Sequence, residues 1–354
     1  AFLGVSGPSP YPWGPSRPAY PLGPLPLNGA AQLMARGCEA VGLRTSPAAN
    51  AALSAPYHQP GIGWRPAHRN TLRPECFVTG FERDAGDDIT GVIYRTGDGE
   101  ERQRCRNVFL CAGAIETPRL LLITGLGNAS GQVGRNLMAH TGLQLWGSFD
   151  DAVRPYKGIP GALISEDCHR PADADFAGGY LLQSIGVMPV TYAGTVARGR
   201  GLWGEALTRH MRGYNHVAGI NILGECLPSP NNFVELSEET DTRGLPKPLS
   251  HFSAGENELR LTTHADKTMR AIWQAAGARD VWSFDRYAHI IGTCRMGDDP
   301  ADSVIDRDGR AHDVRNLFIC DNSVFPSALS VNPALTIMAV SLRTADRFLA
   351  RGAD

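Results

Sequence analysis

The sequence lacks three features that would each assign it to a broad class of proteins. None of its 8 cysteines forms a Cys-x-x-Cys pair, so neither a zinc ribbon nor a thioredoxin-like site is indicated. Its apolar runs are too short to cross a bilayer, and a secretory signal peptide is not recognisable. The 34 Lys and Arg nearly balance the 36 Asp and Glu, which gives no indication of a nucleic-acid partner or of an acidic membrane surface.

An initiator methionine is also lacking, because the chain begins at Ala1 within a stretch rich in Pro, Gly and Tyr that extends to residue 28. We interpret this stretch as a surface loop, and we expect the natural N-terminus to lie upstream. The missing targeting signal is therefore uninformative. The 354 residues suit one large domain or two ordinary ones.

The first third of the chain shows the patterns of strands followed by helices. The predicted elements are a helix at 29–43, strands at 75–82, 89–96 and 107–114, and a helix at 117–125. Thr117 is the expected N-cap of the last helix, and Pro118 its first-turn residue. This succession predicts one piece of an α/β nucleotide-binding layer.

The middle of the chain differs in character. Alternating segments at 142–149 and 231–240 predict an antiparallel sheet with long loops. Residues 255–277 predict an amphipathic helix whose apolar side holds Leu259, Met269, Ile272 and Trp273. Five aromatic residues could stack on sugar rings or form core, and we favour core: Trp146, Tyr180, Tyr192, Trp203 and Tyr214.

The last segment, 329–349, predicts a helix that is apolar nearly all round and therefore buried. Ser330 or Asn332 is the expected N-cap, and Pro333 the first-turn residue. The N-terminus of such a helix stabilises an anion or a developing negative charge. A capped core helix without a ligand is the alternative.

Two further segments carry polar residues in places that suggest a site. An apolar strand ends at Asp321, Asn322 and Ser323, and polar residues after buried strands are typical of ligand sites in α/β sheets. His289 lies just ahead of a Gly-Thr-Cys run and is a candidate for moving protons. Taken alone, such a histidine is more often a surface residue or a satisfied core residue.

Five separated motifs occur in a specific order: GAIETPRLLLITG at 113–125, GQVGRNLMAH at 131–140, HIIGTCRMG at 289–297, DNSVFP at 321–326 and VNPALTI at 331–337. With them, the chain resembles the glucose–methanol–choline (GMC) family of FAD-dependent oxidoreductases. The resemblance extends from about residue 20 to the end, and Thr124 stands where the family usually has Ser. The branch it is most similar to is the sugar and sugar-acid dehydrogenases of the gluconate 2-dehydrogenase large-subunit type.

The resemblance implies the oxidation of an alcohol, with hydride transfer to N5 of FAD. His289 falls on the family's catalytic histidine, which takes the hydroxyl proton. Asn332 falls on the second active-site position and would hold the substrate oxygen by a hydrogen bond. The helix at 333–348 would stabilise charge on the reduced flavin.

The same resemblance implies a set of residues that bind the cofactor: Val78, Gly113, Ala114, Asp321, Asn322, Asn332 and Pro333. Val78 would touch the adenine through its backbone, and Asp321 and Asn322 would lie near the phosphate or ribityl chain. The roles of Asn136 and His140 stay open between a loop role and ligand contact. We expect Cys294 to be packing and Arg295 to be structural.

The sequence departs from the family pattern in two places. The N-terminal strand, Gly-x-Gly-x-x-Gly loop and helix that cradle the FAD pyrophosphate are missing. A truncated sequence, a separate polypeptide that supplies the loop, or a degenerate relative would each explain this. A cysteine-rich insertion ahead of residue 75 is also missing, so we expect neither an iron–sulfur cluster nor another metal.

We therefore predict an α/β fold with α+β elements. A Rossmann-like FAD-binding domain, incomplete at its N-terminus, would occupy 1–139, an antiparallel-sheet-plus-helices substrate domain 140–284, and the return to the FAD-binding domain 285–354. The predicted activity is FAD-dependent oxidation of a CH–OH group of a sugar, sugar acid or glycoside, by a dehydrogenase rather than an oxidase.

Two other functions stay open. The chain could be a truncated or non-catalytic subunit that cannot hold FAD alone, which the missing loop favours. An NAD-linked dehydrogenase is disfavoured, because the same loop and an acidic ribose partner are both missing. A polyol or sugar is the expected substrate, and a small subunit or electron-transfer protein a possible partner. The compartment stays open between a bacterial periplasm and a cytoplasm, and so does association with a membrane through a partner.

Overall fold

The computed structural model describes residues 27–47 and 73–351. Six helices lie within these ranges: α1 (Gly29–Ala40), α2 (Gly113–Thr124), α3 (Pro189–Arg200), α4 (Gly204–Met211), α5 (Glu256–Ala275) and α6 (Ala334–Ala350). The predicted surface loop at 1–28 falls almost wholly outside them. No helix of the described ranges is both long enough and apolar enough to span a membrane.

Fifteen strands lie within the same ranges: β1 (Ser46–Pro47), β2 (Phe77–Arg83), β3 (Ile89–Thr96), β4 (Gly99–Arg104), β5 (Val108–Leu110), β6 (Met138–His140), β7 (Leu143–Ser148), β8 (Leu163–Ser165), β9 (Tyr180–Ile185), β10 (Val217–Gly224), β11 (Phe233–Thr240), β12 (Pro246–His251), β13 (Arg279–Asp285), β14 (Ala288–Ile291) and β15 (Leu317–Ile319). They form a mixed α/β structure, as the sequence predicted.

The chain folds into two compact units. Unit 1 contains the described residues 27–47, Thr141–Glu225 and Glu256–Tyr287. Unit 2 contains 73–140, Cys226–Gly255 and the described residues from 288 to 351. The helix α1 thus belongs with the central part of the chain, and β11 and β12 belong with its two ends. The assignment of a substrate domain to 140–284 stays a prediction.

Unit 1 is built on a six-stranded antiparallel sheet in the order β1-β8-β9-β10-β7-β13. Helices α1 and α5 cover its core. The predicted apolar side of α5 is confirmed for Met269, Ile272 and Trp273, but Leu259 is 57% exposed and Leu261 is buried instead. Residues two apart on a helix lie on nearly opposite sides, so only one of the two leucines can face the sheet.

The aromatic residues of unit 1 are mainly core. Trp146, Tyr180, Tyr192 and Tyr214 are all buried, in agreement with the interpretation we favoured. Trp203 differs, because its side chain is 82% exposed where the chain enters α4. A Gly-x-Gly-x-x-Gly run is nevertheless present around Trp203, at 199–204. This run joins α3 to α4 without a preceding strand, so it is not a phosphate-binding loop.

Unit 2 contains four small sheets. β2, β3 and β4 form an antiparallel meander, β11 pairs with β12, β14 pairs with β6, and β15 lies parallel to β5. The strand predicted at 231–240 is present as β11 and pairs antiparallel, but its partner is β12, so it does not share a sheet with β7. The strand β4 was not predicted, because all six of its residues are exposed and it shows no apolar alternation.

The strand β5 is shorter and more open than predicted. It ends at Leu110, and Phe109 is 41% exposed beside Phe318 and Phe348. Cys111, which directly follows β5, is also exposed, whereas Cys294 is buried as expected.

The helix α6 is largely exposed, which contradicts the prediction of a buried helix. Leu335, Leu342 and Leu349 are each about two-thirds exposed or more. Among the described residues of the helix, only Thr344 is buried. Apolar residues all round a helix show that it can be buried, but burial also needs a surface to pack against. Neither Ser330 nor Asn332 caps α6, because Pro333 occupies the N-cap position.

The helix α2 begins four residues before the predicted N-cap, at Gly113, and this places Pro118 in its interior. A proline has no N–H to donate to the carbonyl four residues earlier, here that of Ala114. The hydroxyl of Thr293 donates to this carbonyl at 2.9 Å instead. Thr293 therefore compensates for the hydrogen bond that Pro118 removes.

Thr293→Val is expected to lower the free energy of unfolding by about 1–2 kcal/mol, because the buried Ala114 carbonyl loses its hydrogen-bond donor. In a Pro118→Ala background the helix can satisfy this carbonyl with its own N–H, so the same substitution should cost less. Urea unfolding of the wild type, the two single variants and the double variant gives both numbers. Equal costs in the two backgrounds would contradict the compensation.

Candidate active site

The carboxylate of Asp321 fixes the start of α2. One of its oxygens accepts the backbone N–H of Gly113 at 2.9 Å and the hydroxyl of Thr117 at 2.6 Å. The other accepts the backbone N–H of Ser323 at 2.8 Å. These bonds satisfy a helix N-terminus that Ala112, at the N-cap position, leaves without a side-chain acceptor. Asp321 is thus a helix-capping residue across the sheet, at the end of β15.

The neighbouring Asn322 joins α2 to the strand that carries His289. Its side-chain oxygen accepts the N–H of Ala114 at 3.1 Å, and its side-chain nitrogen donates to the carbonyl of Ile290. Its backbone carbonyl accepts the N–H of Gly292 at 3.0 Å. Asn322 therefore bonds both to the N-terminus of α2 and to the backbone of the segment that follows His289, at Ile290 and Gly292.

Gly292 is required where this segment crosses the loop before β6. Its φ is +78°, and a Cβ there would lie 2.4 Å from the carbonyl oxygen of Asn136. No side chain fits at such a distance. The glycine of the HIIGTCRMG motif thus allows β14 and β6 to approach closely.

A β-bulge turns His289 out of the regular strand. Ala288 pairs with His140 and Ile291 pairs with Met138, so three residue steps on β14 face two on β6. His289 lies in the bulge with a φ of +56°, a left-handed conformation that is uncommon for a residue with a side chain. Bulges that re-aim a side chain and strained backbone are both concentrated at functional sites.

The bulge places His289 between two polar side chains. Its Nδ1 lies 3.2 Å from Nδ1 of His140, and its Nε2 lies 3.1 Å from the side-chain nitrogen of Asn332. The two imidazole rings meet edge to face, with 5.2 Å between their centroids. His289 is half-buried and Asn332 is exposed, so Nε2 faces the accessible side of this group.

His140 is the buried member of the group, with 1% of its surface exposed. Its second ring nitrogen, Nε2, bonds to the backbone carbonyl of Leu329. Burial, and after it the neighbouring His289, lowers the pKa of His140 from 6.5 to about 4. At neutral pH His140 is therefore an uncharged imidazole.

The structure brings together most of the residues that the resemblance implied. His289 is in contact with Asn332, which precedes Pro333 and α6, and Asp321 and Asn322 contact Gly113 and Ala114. Val78 lies apart in β2, where it pairs with Tyr94. The roles of these residues toward a cofactor or a substrate stay predictions.

The contacts of His140 are more specific than the two roles that the sequence left open for it, a loop role and ligand contact. Its signal was present, because a histidine ends the apolar run of residues that forms β6, and such a histidine must find partners inside the fold. What the sequence could not show is that the partner is His289, 149 positions later in the chain.

Comparisons with known proteins match the family that the sequence motifs indicated. Models of the N- and C-terminal regions of GMC oxidoreductases match residues 67–142 and 228–341. The fructose dehydrogenase large subunit of Gluconobacter japonicus is 32% identical over an alignment 292 positions long, which covers 78% of this chain and 53% of that protein. The 2-methyl-1,2-propanediol dehydrogenase of Mycolicibacterium austroafricanum is 31% identical over an alignment 295 positions long, which covers 75% of this chain and 52% of that protein.

The branch suggested by the sequence is also represented. The gluconate 2-dehydrogenase flavoprotein of Pantoea cypripedii is 26% identical over an alignment 388 positions long, which covers 91% of this chain and 62% of that protein. Among solved structures, pyridoxine 4-oxidase from Mesorbium loti superposes with a TM-score of 0.68 at 18% identity, over 92% of this chain and 71% of that one. The chain spans about half the length of the first two relatives.

Asp321→Ala is expected to lower the free energy of unfolding by about 2–4 kcal/mol in the absence of any cofactor, because it leaves buried donors at the start of α2 without an acceptor. Asp299→Ala is the control, since that carboxylate accepts the backbone N–H of Ala301 in an exposed turn. Denaturant unfolding measures both. Equal, small losses would show that the Asp321 carboxylate is not needed for the helix.

Stability should also depend on His140 as the solution is acidified. Its pKa is lowered in the fold, so the unfolded chain binds the proton more readily, and stability falls as pH drops from about 6.5 to about 4. Over this range the shifted pKa of His140 should lower the free energy of unfolding by about 3 kcal/mol. His140→Gln should flatten this dependence, whereas His251→Gln, at an exposed histidine, should not. Unfolding curves between pH 4 and 8 give the slopes, and a wild-type slope in the His140→Gln variant would refute the assignment.

Proposed function

The chain belongs to the GMC oxidoreductase family, and we propose that it oxidises the CH–OH group of a sugar, sugar acid or glycoside with His289 as the base. The observation that carries the proposal is the position of His289 in a β-bulge, with its Nδ1 on buried His140 and its Nε2 on exposed Asn332. This arrangement holds the ring on one side and leaves the other nitrogen toward solvent.

The chemistry follows from which atoms can exchange partners. A substrate hydroxyl that approaches Nε2 of His289 takes the place of the Asn332 N–H and donates its own proton to the nitrogen. The amide of Asn332 cannot titrate, so it can then donate to the substrate oxygen while that oxygen loses its proton. His289 and Asn332 together thus bind one oxygen and remove one proton from it.

FAD, when bound, supplies the acceptor for the hydride that leaves the same carbon. The residues near His289 fit the redox end of such a group. Asn332 and Ala334 are exposed at the N-terminal end of α6, and the positive end of a helix dipole favours a neighbouring group on which negative charge develops.

The fit is incomplete at the phosphate end. Asp321 and Asn322, which the resemblance places near the phosphate or ribityl chain, use their side-chain oxygens on the backbone of α2. The N–H groups of Gly113 and Ala114 are taken by the same bonds. The described residues therefore provide the proton-accepting part of a site, and a Gly-rich loop for the pyrophosphate is not among them.

The relatives support the substrate class and the type of enzyme. One is named as a fructose dehydrogenase and another as a gluconate 2-dehydrogenase flavoprotein, so we propose a sugar or sugar acid as donor and a dehydrogenase rather than an oxidase. The first is named a large subunit, which supports a second subunit or an electron-transfer partner for this chain as well.

A subunit that cannot hold FAD by itself is the second candidate function. It is favoured by the exposed apolar side chains of α6, including Leu335, Leu342 and Leu349. In this case the His289 group would be complete only when another polypeptide supplies the rest of the cofactor site.

The two candidates are separated by mixing the purified chain with excess FAD, desalting it and recording the visible spectrum. The oxidoreductase proposal predicts a retained flavin band that bleaches anaerobically with fructose or gluconate. His289→Ala should bleach at least about 10²-fold more slowly, because general-base catalysis is lost, while His251→Ala should match the wild type. A chain that retains no flavin favours the second candidate, and a retained flavin that bleaches equally fast in His289→Ala would refute the role of His289.

A further inference from the structure

We infer that His140 is a positioning residue that fixes the proton of neutral His289 on Nδ1 and so leaves Nε2 as a hydrogen-bond acceptor. The inference deepens the proposed function and rests on it, because Nε2 is the atom that would take the substrate's proton. The described contacts of three groups, Leu329, His140 and Asn332, lead to it independently of any cofactor.

The backbone carbonyl of Leu329 determines the tautomer of His140. A carbonyl oxygen can only accept, so the nitrogen that bonds to it, Nε2 of His140, must carry a hydrogen. A neutral imidazole has one N–H, and therefore Nδ1 of His140 is an acceptor. Burial keeps His140 neutral, because the charged form would be desolvated inside the fold.

The tautomer of His140 determines which ring donates in its contact with His289. Its Nδ1 lies 3.2 Å from the acceptor Nδ1 of His140, so in a hydrogen bond between them His289 is the donor. Neutral His289 then carries its proton on Nδ1, and its Nε2 presents a lone pair.

The contact between His289 and Asn332 requires the same tautomer of His289. Nε2 of His289 lies 3.1 Å from the side-chain nitrogen of Asn332, which is a donor. The contact fits the Nδ1–H tautomer of His289, in which Nε2 accepts. In the Nε2–H tautomer, two N–H groups would face each other. The four groups form one hydrogen-bond network in which each N–H points at an acceptor.

The same hydrogen-bond network can also hold His289 in its protonated state. When His289 accepts a proton at Nε2 it becomes an imidazolium, and its Nδ1–H continues to donate to the neutral Nδ1 of His140. This bond then becomes charge-assisted and stronger. His140 therefore orients the base before the proton arrives and stabilises the charge afterwards, without a change of hydrogen-bond direction.

The backbone holds the two rings in register. His140 is the last residue of β6, and its pairing partner Ala288 directly precedes His289 in the bulge of β14. The ring of His140 is enclosed, with its far nitrogen bound to Leu329. Because both ends of His140 are fixed, its Nδ1 is a rigid acceptor for the half-buried ring.

The test is a long-range proton–nitrogen NMR correlation of the full chain labelled with ¹⁵N-histidine, at pH 7.5 and without FAD. The expected result is His289 protonated on Nδ1 and His140 protonated on Nε2. The Nδ1–H form is the less common tautomer of a free neutral imidazole, so its observation is informative. His289→Gln and His140→Gln identify the two sets of signals, and wild-type His289 protonated on Nε2 would overturn the inference.

Two variants test whether His140 is the cause. His140→Phe should return His289 mainly to the Nε2–H form, whereas His140→Gln, whose side-chain oxygen can accept from Nδ1, should keep the Nδ1–H form. Circular dichroism verifies that both variants are folded, and the wild-type spectrum decides the tautomer even where the Phe variant is not. A folded Phe variant with an unchanged His289 tautomer would also overturn the inference.

The outcome is separable from that of the proposed function. The tautomer is read without cofactor or substrate, so an Nδ1–H His289 stands even in a chain whose flavin is not reduced by a sugar. In a flavin-loaded chain that is reduced, His140→Phe should slow anaerobic reduction by roughly 10²-fold at saturating substrate, as expected for a base in the wrong tautomer. His140→Gln should recover most of that rate, and equal rates in the two variants would contradict the positioning role.

Discussion

The turn that follows β15 is the part of unit 2 on which the candidate site depends. Asp321 and Asn322 provide acceptors for the first N–H groups of α2, and the backbone carbonyls of Asn322 and Ser323 accept the N–H groups of Gly292 and Cys294. A single short segment thus holds a helix start and the motif that carries the base. Because buried N–H groups are costly when left unpaired, these bonds tie the two parts to one geometry.

The site also contains strain that the surrounding bonds must offset. His289 and Thr293 both have positive φ, at +56° and +90°, and each such residue costs about 1–3 kcal/mol. The hydroxyl of Thr293 bonds to the carbonyl that Pro118 leaves unpaired, and His289 is bonded at both of its ring nitrogens. The two residues with unfavourable backbone conformations are therefore those whose side chains form these hydrogen bonds.

Much of the site was predictable because its residues lie in ordered motifs. His289, Asn332, Asp321 and Asn322 were selected from the sequence, and the structure places each beside another member of the set. The contribution of His140 was not predictable, because it depends on a bulge that aligns β6 with β14. A pattern of residue types gives the candidates, whereas tautomers and hydrogen-bond directions arise only from the tertiary contacts.

The fold shows the same division. The helices α1 and α5 and the strands β2 and β3 follow from their local periodicity. The start of α2 does not, because Thr117 and Pro118 resemble a local cap while the capping carboxylate, that of Asp321, lies 208 positions from Gly113. The exposure of α6 could not be predicted from its apolar composition either, because a helix is buried only where another part of the structure packs against it.

The most direct test of the account is a crystal structure of the chain at a resolution that fixes backbone dihedral angles and ring positions. The account predicts that His289 lies in a bulge of β14 with positive φ, and that its two ring nitrogens are within hydrogen-bond distance of His140 and Asn332. A regular β14, with extended backbone at His289 and the ring turned away from His140, would contradict it.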